Sequence, residues 1–198
     1  MSKEGKINCA RRNLIIATAA VAGIGGVTAV IPFISSMLPS ERAKATGGSV
    51  EVDVGNLAPG QLLTVAWRGQ PVWIFNRSAE MLETLPKLDA AVADPKSAEK
   101  QQPAYCTNPT RSIKPKLLVV IGVCTHLGCT PSAKFKAGVV ESMSADWLGG
   151  FLCPCHGSTF DFAGRVFKSK PAPTNLEVPP HFYLSDTRIL IGEDKKGA

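Results

Sequence analysis

Two short segments, Cys124-Thr-His126-Leu-Gly-Cys129 and Cys153-Pro-Cys155-His156-Gly-Ser158, decide the fold and the chemistry of this 198-residue chain. Cys-x-His in the first segment and Cys-x-x-His in the second supply two thiolates and two imidazoles. This ligand set suits a [2Fe-2S] cluster that carries two cysteines on one iron and two histidines on the other. The pattern therefore predicts a metal site that both segments build together.

Two cysteines remain after this assignment, Cys129 and Cys155, and they sit at matching places in the two segments. If both segments surround one cluster, these thiols should approach closely enough for a disulfide. Zinc also accepts two cysteines and two histidines at short spacings. A zinc site would leave the second cysteine pair without a role, and Gly128 and Gly157 let backbone amides approach cluster sulfurs, so the pattern favours the cluster.

At these residues the chain resembles a known family. The strings CTHLGC and CPCHGS look like the cluster-binding loops of Rieske proteins, and nearly the whole chain is similar to the iron-sulfur subunits of bacterial ubiquinol-cytochrome c reductases. Val65 to Trp73 resembles a stretch near the start of their soluble domain. Pro171-Ala-Pro173 resembles the proline loop that covers their cluster.

The resemblance implies a role for each residue of the motif. It puts Cys124 and Cys153 on the inner iron and His126 and His156 on the outer iron. It also implies a bridge between Cys129 and Cys155, a supporting role for Ser158 at the cofactor, and the catalytic quinol contact at His156. The chain departs from the family at Phe160, where many members have tyrosine, and at Lys170, where glycine is usual.

The fold that the resemblance implies is an all-β, Rieske-type antiparallel β-sandwich over residues 50–198. A cluster-binding subdomain is nested within it at about 117–175, and one transmembrane helix precedes it. The implied function is that of an electron-transfer subunit that oxidises ubiquinol and passes one electron to a membrane cytochrome c subunit, with proton release on the outer side. The implied partners are cytochrome b and cytochrome c-type subunits in a dimeric complex.

The ligand types also predict the redox range of the cluster. Neutral imidazoles in place of anionic thiolates make the site less negative and favour the reduced cluster. The potential then lies at about −150 to +300 mV, against about −400 mV for plant-type ferredoxins. This range suits quinol oxidation.

The N-terminal region predicts a membrane anchor. No charged residue or histidine occurs from Leu14 to Leu38, a run that exceeds the roughly 30 Å core of a bilayer at about 1.5 Å per residue. Positive charges in the preceding tail, residues 1–13, favour a cytoplasmic N-terminus and a periplasmic soluble domain at the bacterial inner membrane. Arg11-Arg12 also fits a twin-arginine export signal, which suits a protein that acquires its cofactor before export.

A cleaved signal peptide is the alternative, because Ala43-Lys-Ala45 has the small-x-small form of a cleavage site. The apolar run is longer than the roughly 7 to 15 residues of such a signal, so an uncleaved single-pass anchor at 14–38 is favoured. Residues 39–49 contain no large apolar side chain after Pro39, a composition that fits a flexible tether and an ordinary loop equally well. The resemblance favours a flexible hinge, because family members swing their cluster domain between two partners on such a segment.

The remaining pattern predicts antiparallel strands. Hairpins are expected from Gln61 to Asn76 and from Phe182 to Gly192, and a buried strand at Leu117 to Ile121 is expected to lead into the first motif. A helix is predicted from Ser78 to Ala90, with Ser78 as its N-cap. The segment from Asp94 to Pro115, rich in Pro, Lys and Gln, is predicted to be a surface loop.

Other function classes fit less well. The formal charge of +6 owes +3 to the N-terminal tail, and no basic stripe marks the rest, so nucleic-acid binding is excluded. A Rieske subunit of an exported arsenite oxidase and a soluble ferredoxin for an oxygenase are the alternatives. The anchor opposes both, and a disulfide opposes a cytosolic ferredoxin. His181 and Cys106 are expected to be ordinary packing residues, with Cys106 a buried or free thiol.

Overall fold

The computed structural model describes residues 9–38, 47–138 and 145–194, and the chain divides into two units, Met1–Ala45 and Thr46–Ala198. In the first unit, helix α1 (Cys9–Ser36) is the one helix of the described residues that is long and apolar enough to cross a membrane. It begins before the predicted span and includes Arg11 and Arg12. Most of the predicted hinge, residues 39–46, and the candidate cleavage site lie outside the described residues.

The described residues of the second unit form three antiparallel sheets of three strands each. The strands in chain order are β1 (Val50–Asp53), β2 (Leu62–Trp67), β3 (Gln70–Asn76), β4 (Leu117–Ile121), β5 (Ser132–Lys134), β6 (Gly150–Leu152), β7 (Thr159–Phe160), β8 (His181–Tyr183) and β9 (Arg188–Ile191). The sheet orders are β1-β9-β8, β2-β3-β4 and β5-β6-β7. Both predicted hairpins are present, with β2 pairing β3 and β8 pairing β9.

The central sheet, β2-β3-β4, is buried on both faces because successive side chains of a strand point to opposite sides. On β3, Val72 and Ile74 pack in one hydrophobic core with Ile189 and Ile191 of the first sheet. Trp73 and Phe75 face the other core, together with phenylalanines of the third sheet. This double burial explains why β4 is a continuous apolar run in the sequence.

The predicted helix is α2 (Ala79–Lys87), which is shorter than expected. The Ser78 hydroxyl accepts a hydrogen bond from the Met81 N–H, so the predicted N-cap is confirmed. Leu88 is the C-cap, and its backbone N–H donates to the carbonyls of Thr84 and Leu85. The helix therefore ends one turn before Ala90.

The segment from Asp94 to Pro115 is not a simple surface loop, and the prediction for it was wrong. It contains a short 3₁₀ helix, Ala104–Cys106, and the buried free thiol of Cys106, whose pKa burial raises to about 11. Arg111 is fully buried within it. Its guanidinium donates to the carbonyls of Ala163, Gly164 and Leu176, and burial lowers its pKa to about 10. These long-range partners draw a polar segment inward.

Two further buried arginines hold the same turn after β7. Arg77 donates to the carbonyl of Phe162, and Arg165 forms an ion pair with the buried Asp161. Asp161 also accepts hydrogen bonds from the backbone N–H groups of Ala163 and Arg165. The turn after β7, residues 161–165, is therefore fixed by Arg77 and Arg111 from distant parts of the chain and by the ion pair of Arg165 with Asp161 within the turn itself.

Candidate metal centre

The two cysteine-histidine segments form loops with the same backbone hydrogen bonds. In the first loop, Cys124 N–H donates to Cys129 O at 2.7 Å and Gly128 N–H donates to Cys124 O at 3.0 Å. In the second, Cys153 N–H donates to Ser158 O at 2.8 Å and Gly157 N–H donates to Cys153 O at 3.0 Å. Strands β4 and β6 lead into these loops, which are therefore closed at equivalent positions by their own backbones.

This equivalence corrects the expectation that Cys129 and Cys155 occupy matching places. By backbone pattern, Cys129 corresponds to Ser158, and Cys155 corresponds to His126. The two cysteines nevertheless meet across the loops in a disulfide with a Cα–Cα distance of 6.6 Å. The bridge joins two loops 26 residues apart in sequence and ties them into one structure.

The thiols of Cys124 and Cys153 are free, buried and adjacent. The Cys153 thiol, the Ser158 hydroxyl and the backbone N–H of His126 all lie close enough to the Cys124 sulfur to influence its pKa. Burial raises the pKa of the Cys124 thiol. Donors that surround a sulfur in this way are suited to a thiolate held by a metal.

The imidazoles of His126 and His156 also meet, one from each loop. Their ring centroids lie 4.7 Å apart, and the rings are nearly perpendicular. His126 is half-buried, whereas His156 is exposed. The Nδ1 atom of His126 is buried and has no hydrogen-bond partner among the residues that the structure describes. This ring nitrogen is therefore available to bind a metal.

These four side chains fit the predicted cluster. The sulfurs of Cys129, Cys153 and Cys155 lie within 4.8 Å of one another, but the disulfide consumes two of them. Only Cys153 of that group can therefore act as a thiolate ligand. Two free thiols and two adjacent imidazoles remain, which is the donor set of a cluster with cysteines on one iron and histidines on the other.

The proline segment is bound to both loops through one hydroxyl from each. Ala172 N–H donates to Ser158 Oγ at 3.0 Å, and Thr125 Oγ1 donates to Thr174 O at 2.7 Å. Sequence reasoning found Ser158 but not Thr125, which lies between two of the candidate ligands. A hydroxyl at that position was the one available signal, and its partner is 49 residues away.

The two departures from the family pattern lie in different environments. Phe160 is fully buried in β7, in the same hydrophobic core as Cys124 and Cys153. Lys170 is exposed at the entry to the proline segment. It follows Ser169, whose φ of 57° is in the left-handed region.

Family models match both parts of the chain. The model described as "Rieske [2Fe-2S] domain" matches residues 50–180. A second model, described as "Ubiquitinol-cytochrome C reductase Fe-S subunit TAT signal", matches residues 1–40. Together they account for the export motif, the apolar helix and the two loops.

Similar proteins cover nearly the full chain. The ubiquinol-cytochrome c reductase iron-sulfur subunit of Allochromatium vinosum is 54% identical over 198 residues, covering 100% of this chain and 95% of the relative. The protein of the same description from Rhodospirillum rubrum is 42% identical over 191 residues, covering 96% of each. A chain of a solved hyperthermophilic respiratory complex III aligns with a TM-score of 0.45 at 24% identity, covering 88% of this chain and 97% of that one.

Proposed function

The chain belongs to the Rieske family of ubiquinol-cytochrome c reductase iron-sulfur subunits, and from this premise we propose which residues perform its electron transfer. Membership gives the Rieske [2Fe-2S] cofactor and the oxidoreductase role within a membrane complex. Our assignment is that Cys124, Cys153, His126 and His156 hold the cluster and that Ser158 supports it. The observation that carries this assignment is the meeting of two buried thiols and two imidazoles on one pair of bridged loops.

The different exposure of the two imidazoles supports the assignment of the quinol contact to His156. His126 is half-buried, and its neighbour Thr125 is bound to the proline segment. His156 is exposed on the other loop, so a quinol hydroxyl can reach its ring without displacing the proline segment. We therefore propose that ubiquinol donates a hydrogen bond to the nitrogen of His156 that does not hold iron.

This arrangement couples the proton to the electron. A bound cluster would supply one-electron redox chemistry, and gain of an electron would make an imidazole that holds it less acidic. The ring nitrogen of His156 that does not hold the cluster would then take the quinol proton. Loss of the electron would restore the acidity of His156 and release the proton to water on the outer side. Exposure of His156 makes that release possible.

The membrane topology follows the charge pattern of the sequence. Helix α1 anchors the subunit in a bacterial membrane complex, in agreement with the matched export signal. We propose that the positive tail, residues 1–13, stays in the cytoplasm, that residues 14–38 span the membrane, and that the domain from residue 50 lies on the periplasmic side. The hinge assigned to residues 39–49 remains a prediction from sequence.

We further propose that cytochrome b completes the quinol site and that a cytochrome c-type subunit accepts the electron. The relatives are named as subunits of such a reductase, which supports partners of these two kinds. Dimerisation of the whole complex and contact with bilayer lipid are part of the same proposal.

The ligand assignment is tested by spectroscopy on the detergent-solubilised complex. Cys124→Ser and His126→Gln should abolish the electron paramagnetic resonance signal of the reduced cluster. Cys106→Ser is the matched control, because Cys106 is also a buried free thiol but lies outside the four ligands. Stoichiometric zinc in the wild-type protein, or loss of the signal in Cys106→Ser alone, would overturn the assignment. Protease cleavage of the domain from the outer face of spheroplasts tests the orientation.

A further inference from the structure

Three sulfur atoms of the two loops lie close enough to exchange bonding partners. The sulfurs of Cys129, Cys153 and Cys155 are all within 4.8 Å of one another, although the disulfide joins only Cys129 and Cys155. The Cys153 thiol is free and buried beside this bond. A thiolate breaks a disulfide by attacking one of its sulfurs, and proximity within one chain greatly raises the effective concentration of the attacking group. The fold therefore holds a potential nucleophile against the bridge that joins its loops.

The exposure of the bridged cysteines indicates which of their sulfurs would be attacked. The sulfur that leaves carries a negative charge until it takes up a proton, and water stabilises that charge. Cys155 is exposed, whereas Cys129 is half-buried and packs against the hydrophobic core. Cys155 is therefore the better leaving group, and Cys129 is the better target. A bond from Cys153 to Cys155 would also span only Pro154, whose ring fixes its φ at about −65°.

Cys153 cannot take part in this exchange while it holds a cluster, because its sulfur is then bound to iron as a thiolate. Disulfides form in an oxidising compartment, which the chain reaches after the export that its matched signal at residues 1–40 indicates. If the cofactor is acquired before export, Cys153 is occupied when oxidation begins. The thiols of Cys129 and Cys155 are then the pair left to form the bridge.

We propose that loss of the cluster starts a disulfide exchange that moves the bridge from Cys129–Cys155 to Cys129–Cys153. The Cys153 thiol gives up its proton, and its sulfur forms a bond to the sulfur of Cys129. The bond between Cys129 and Cys155 breaks, and the Cys155 sulfur leaves with the electron pair and takes up a proton. One disulfide and one thiol are present before and after the step, so it needs no oxidant or reductant. This inference rests on the ligand role that we propose for Cys153.

The exchange would make loss of the cluster a one-way event. In the new bridge Cys153 has no thiolate to offer to iron. The thiol that is released, Cys155, corresponds by backbone pattern to His126 and therefore does not replace an inner-iron ligand. The loops would stay joined, but they could not take up a new cluster until a thiol reductant opened the bridge.

The test follows the bridge in the detergent-solubilised complex after an iron chelator has removed the cluster. The sample is kept free of oxygen and of added thiols, portions are blocked at intervals with N-ethylmaleimide in mildly acidic denaturant, and peptides are mapped by mass spectrometry. Uncatalysed disulfide rearrangement takes minutes to hours. Over that time we expect the Cys129–Cys155 peptide to be replaced by a Cys129–Cys153 peptide. The label should move from Cys153 to Cys155, and the number of labelled thiols should not change.

Two serine variants form a matched pair, because each removes one proposed ligand thiol. Cys124→Ser keeps the attacking thiol and Cys153→Ser removes it, so the bridge should move only in the first. The wild-type time course decides the question even if a variant fails to assemble.

Persistence of the Cys129–Cys155 bridge in the chelated wild type would overturn the proposal. Loss of two labelled thiols would overturn it as well, because it would mean that Cys124 and Cys153 had been oxidised to a second disulfide. The loaded complex should keep its original bridge throughout. Movement of the bridge in the loaded complex, with the cluster signal unchanged, would instead contradict the ligand role of Cys153.

Discussion

At the scale of single residues, Thr125 binds the proline segment, a role that its position in the motif does not indicate. Its hydroxyl donates to Thr174 O at 2.7 Å and fixes the proline segment over the first loop, as Ser158 does over the second. Both hydroxyls flank residues that we assign as ligands. The cover therefore depends on both loops.

Thr125→Val should loosen the cover while keeping the shape of the side chain. We expect a loss of about 1 kcal/mol in stability, the usual worth of one hydrogen bond, and faster loss of the cluster on warming. Bleaching of the visible spectrum with time measures that loss. Thr125→Ser, which restores the hydroxyl, should behave like the wild type; equal bleaching in all three proteins would contradict the role of this bond.

Phe160 gives a second prediction at this scale. Hydrogen bonds to the sulfurs stabilise the more negative, reduced cluster more than the oxidised one, so each donor raises the potential. Phe160→Tyr should therefore raise the midpoint potential by tens of millivolts, where about 59 mV is a tenfold change for one electron. Ser158→Ala should lower it.

Voltammetry of the complex decides between this effect and simple packing. Phe160 is fully buried, so a new hydroxyl must find a partner in the core or destabilise it. An unchanged or lowered midpoint in Phe160→Tyr, with an intact cluster, would show that no sulfur accepts the bond. The thermal stability of the variant should be recorded as well.

At the scale of elements, the disulfide between Cys129 and Cys155 holds the two loops together. In the chain-entropy account, a bridge across a separation of 26 residues stabilises by about 3.5 kcal/mol. Replacing both cysteines, as in Cys129→Ala with Cys155→Ser, should release the cluster at a lower temperature. The sheets remote from the loops should melt later, because their cores do not depend on the bridge.

The comparison of two signals during heating tests this separation. Visible absorption reports the cluster, and far-ultraviolet circular dichroism reports the strands. The wild type should lose both together, and the variant should lose the first before the second. Coincident transitions in the variant would show that the bridge stabilises the whole domain.

Sequence patterns correctly predicted the elements that depend on local signals. Three such signals each lie within a few residues: the ligand spacing, the apolar run of β4 and the hairpin turn at Arg68-Gly69. Both turn residues have a positive φ, as two-residue hairpin turns prefer. Long-range contacts were not visible. Arg111 lies in a polar segment and looks like a surface residue until the carbonyls of Ala163 and Leu176 are brought to it by the fold.

The same limit applies within the candidate site. The four proposed ligands follow from residue types and spacing, whereas the correspondence of Cys129 with Ser158 depends on backbone hydrogen bonds that no spacing reveals. Thr125 was missed for a similar reason, because its partner belongs to another segment. Roles that depend on residue type and spacing can be predicted from the sequence, whereas roles that depend on tertiary hydrogen bonds cannot.

At the scale of the whole molecule, the burial of His181 leads us to expect that acid lowers the stability of the domain. It is buried in β8, its Nδ1–H donates to the Pro179 carbonyl, and its Nε2 has no partner among the described residues. Its ring packs edge-on against Tyr105, whose hydroxyl donates to Asp194. Burial lowers the pKa of His181 below its ordinary value of 6.5.

The sign of the pH effect follows from that lowered pKa. Above pH 6.5 His181 is neutral in the folded and unfolded chain and has no effect on stability. Below that value the unfolded chain takes up a proton that the folded chain does not, so stability falls as the pH falls towards the folded pKa. The slope is at most about 1.4 kcal/mol per pH unit for one group.

His181→Asn should remove this part of the acid sensitivity, since an amide can still donate to Pro179 without titrating. Thermal melts between pH 7 and pH 5 on the solubilised protein measure the difference in slope. The variant should lose less stability over this interval than the wild type. Parallel curves would show that His181 does not contribute.

The closed backbones of the two loops also bear on the speed of electron transfer. An electron moves slowly when the atoms around its donor must shift to accommodate the new charge. Here the backbone hydrogen bonds of each loop hold Cys124 and Cys153, and a disulfide joins the two loops. Two hydroxyls bind the proline segment to them. We expect a small reorganisation energy, so that the cluster changes its charge almost without changing its shape.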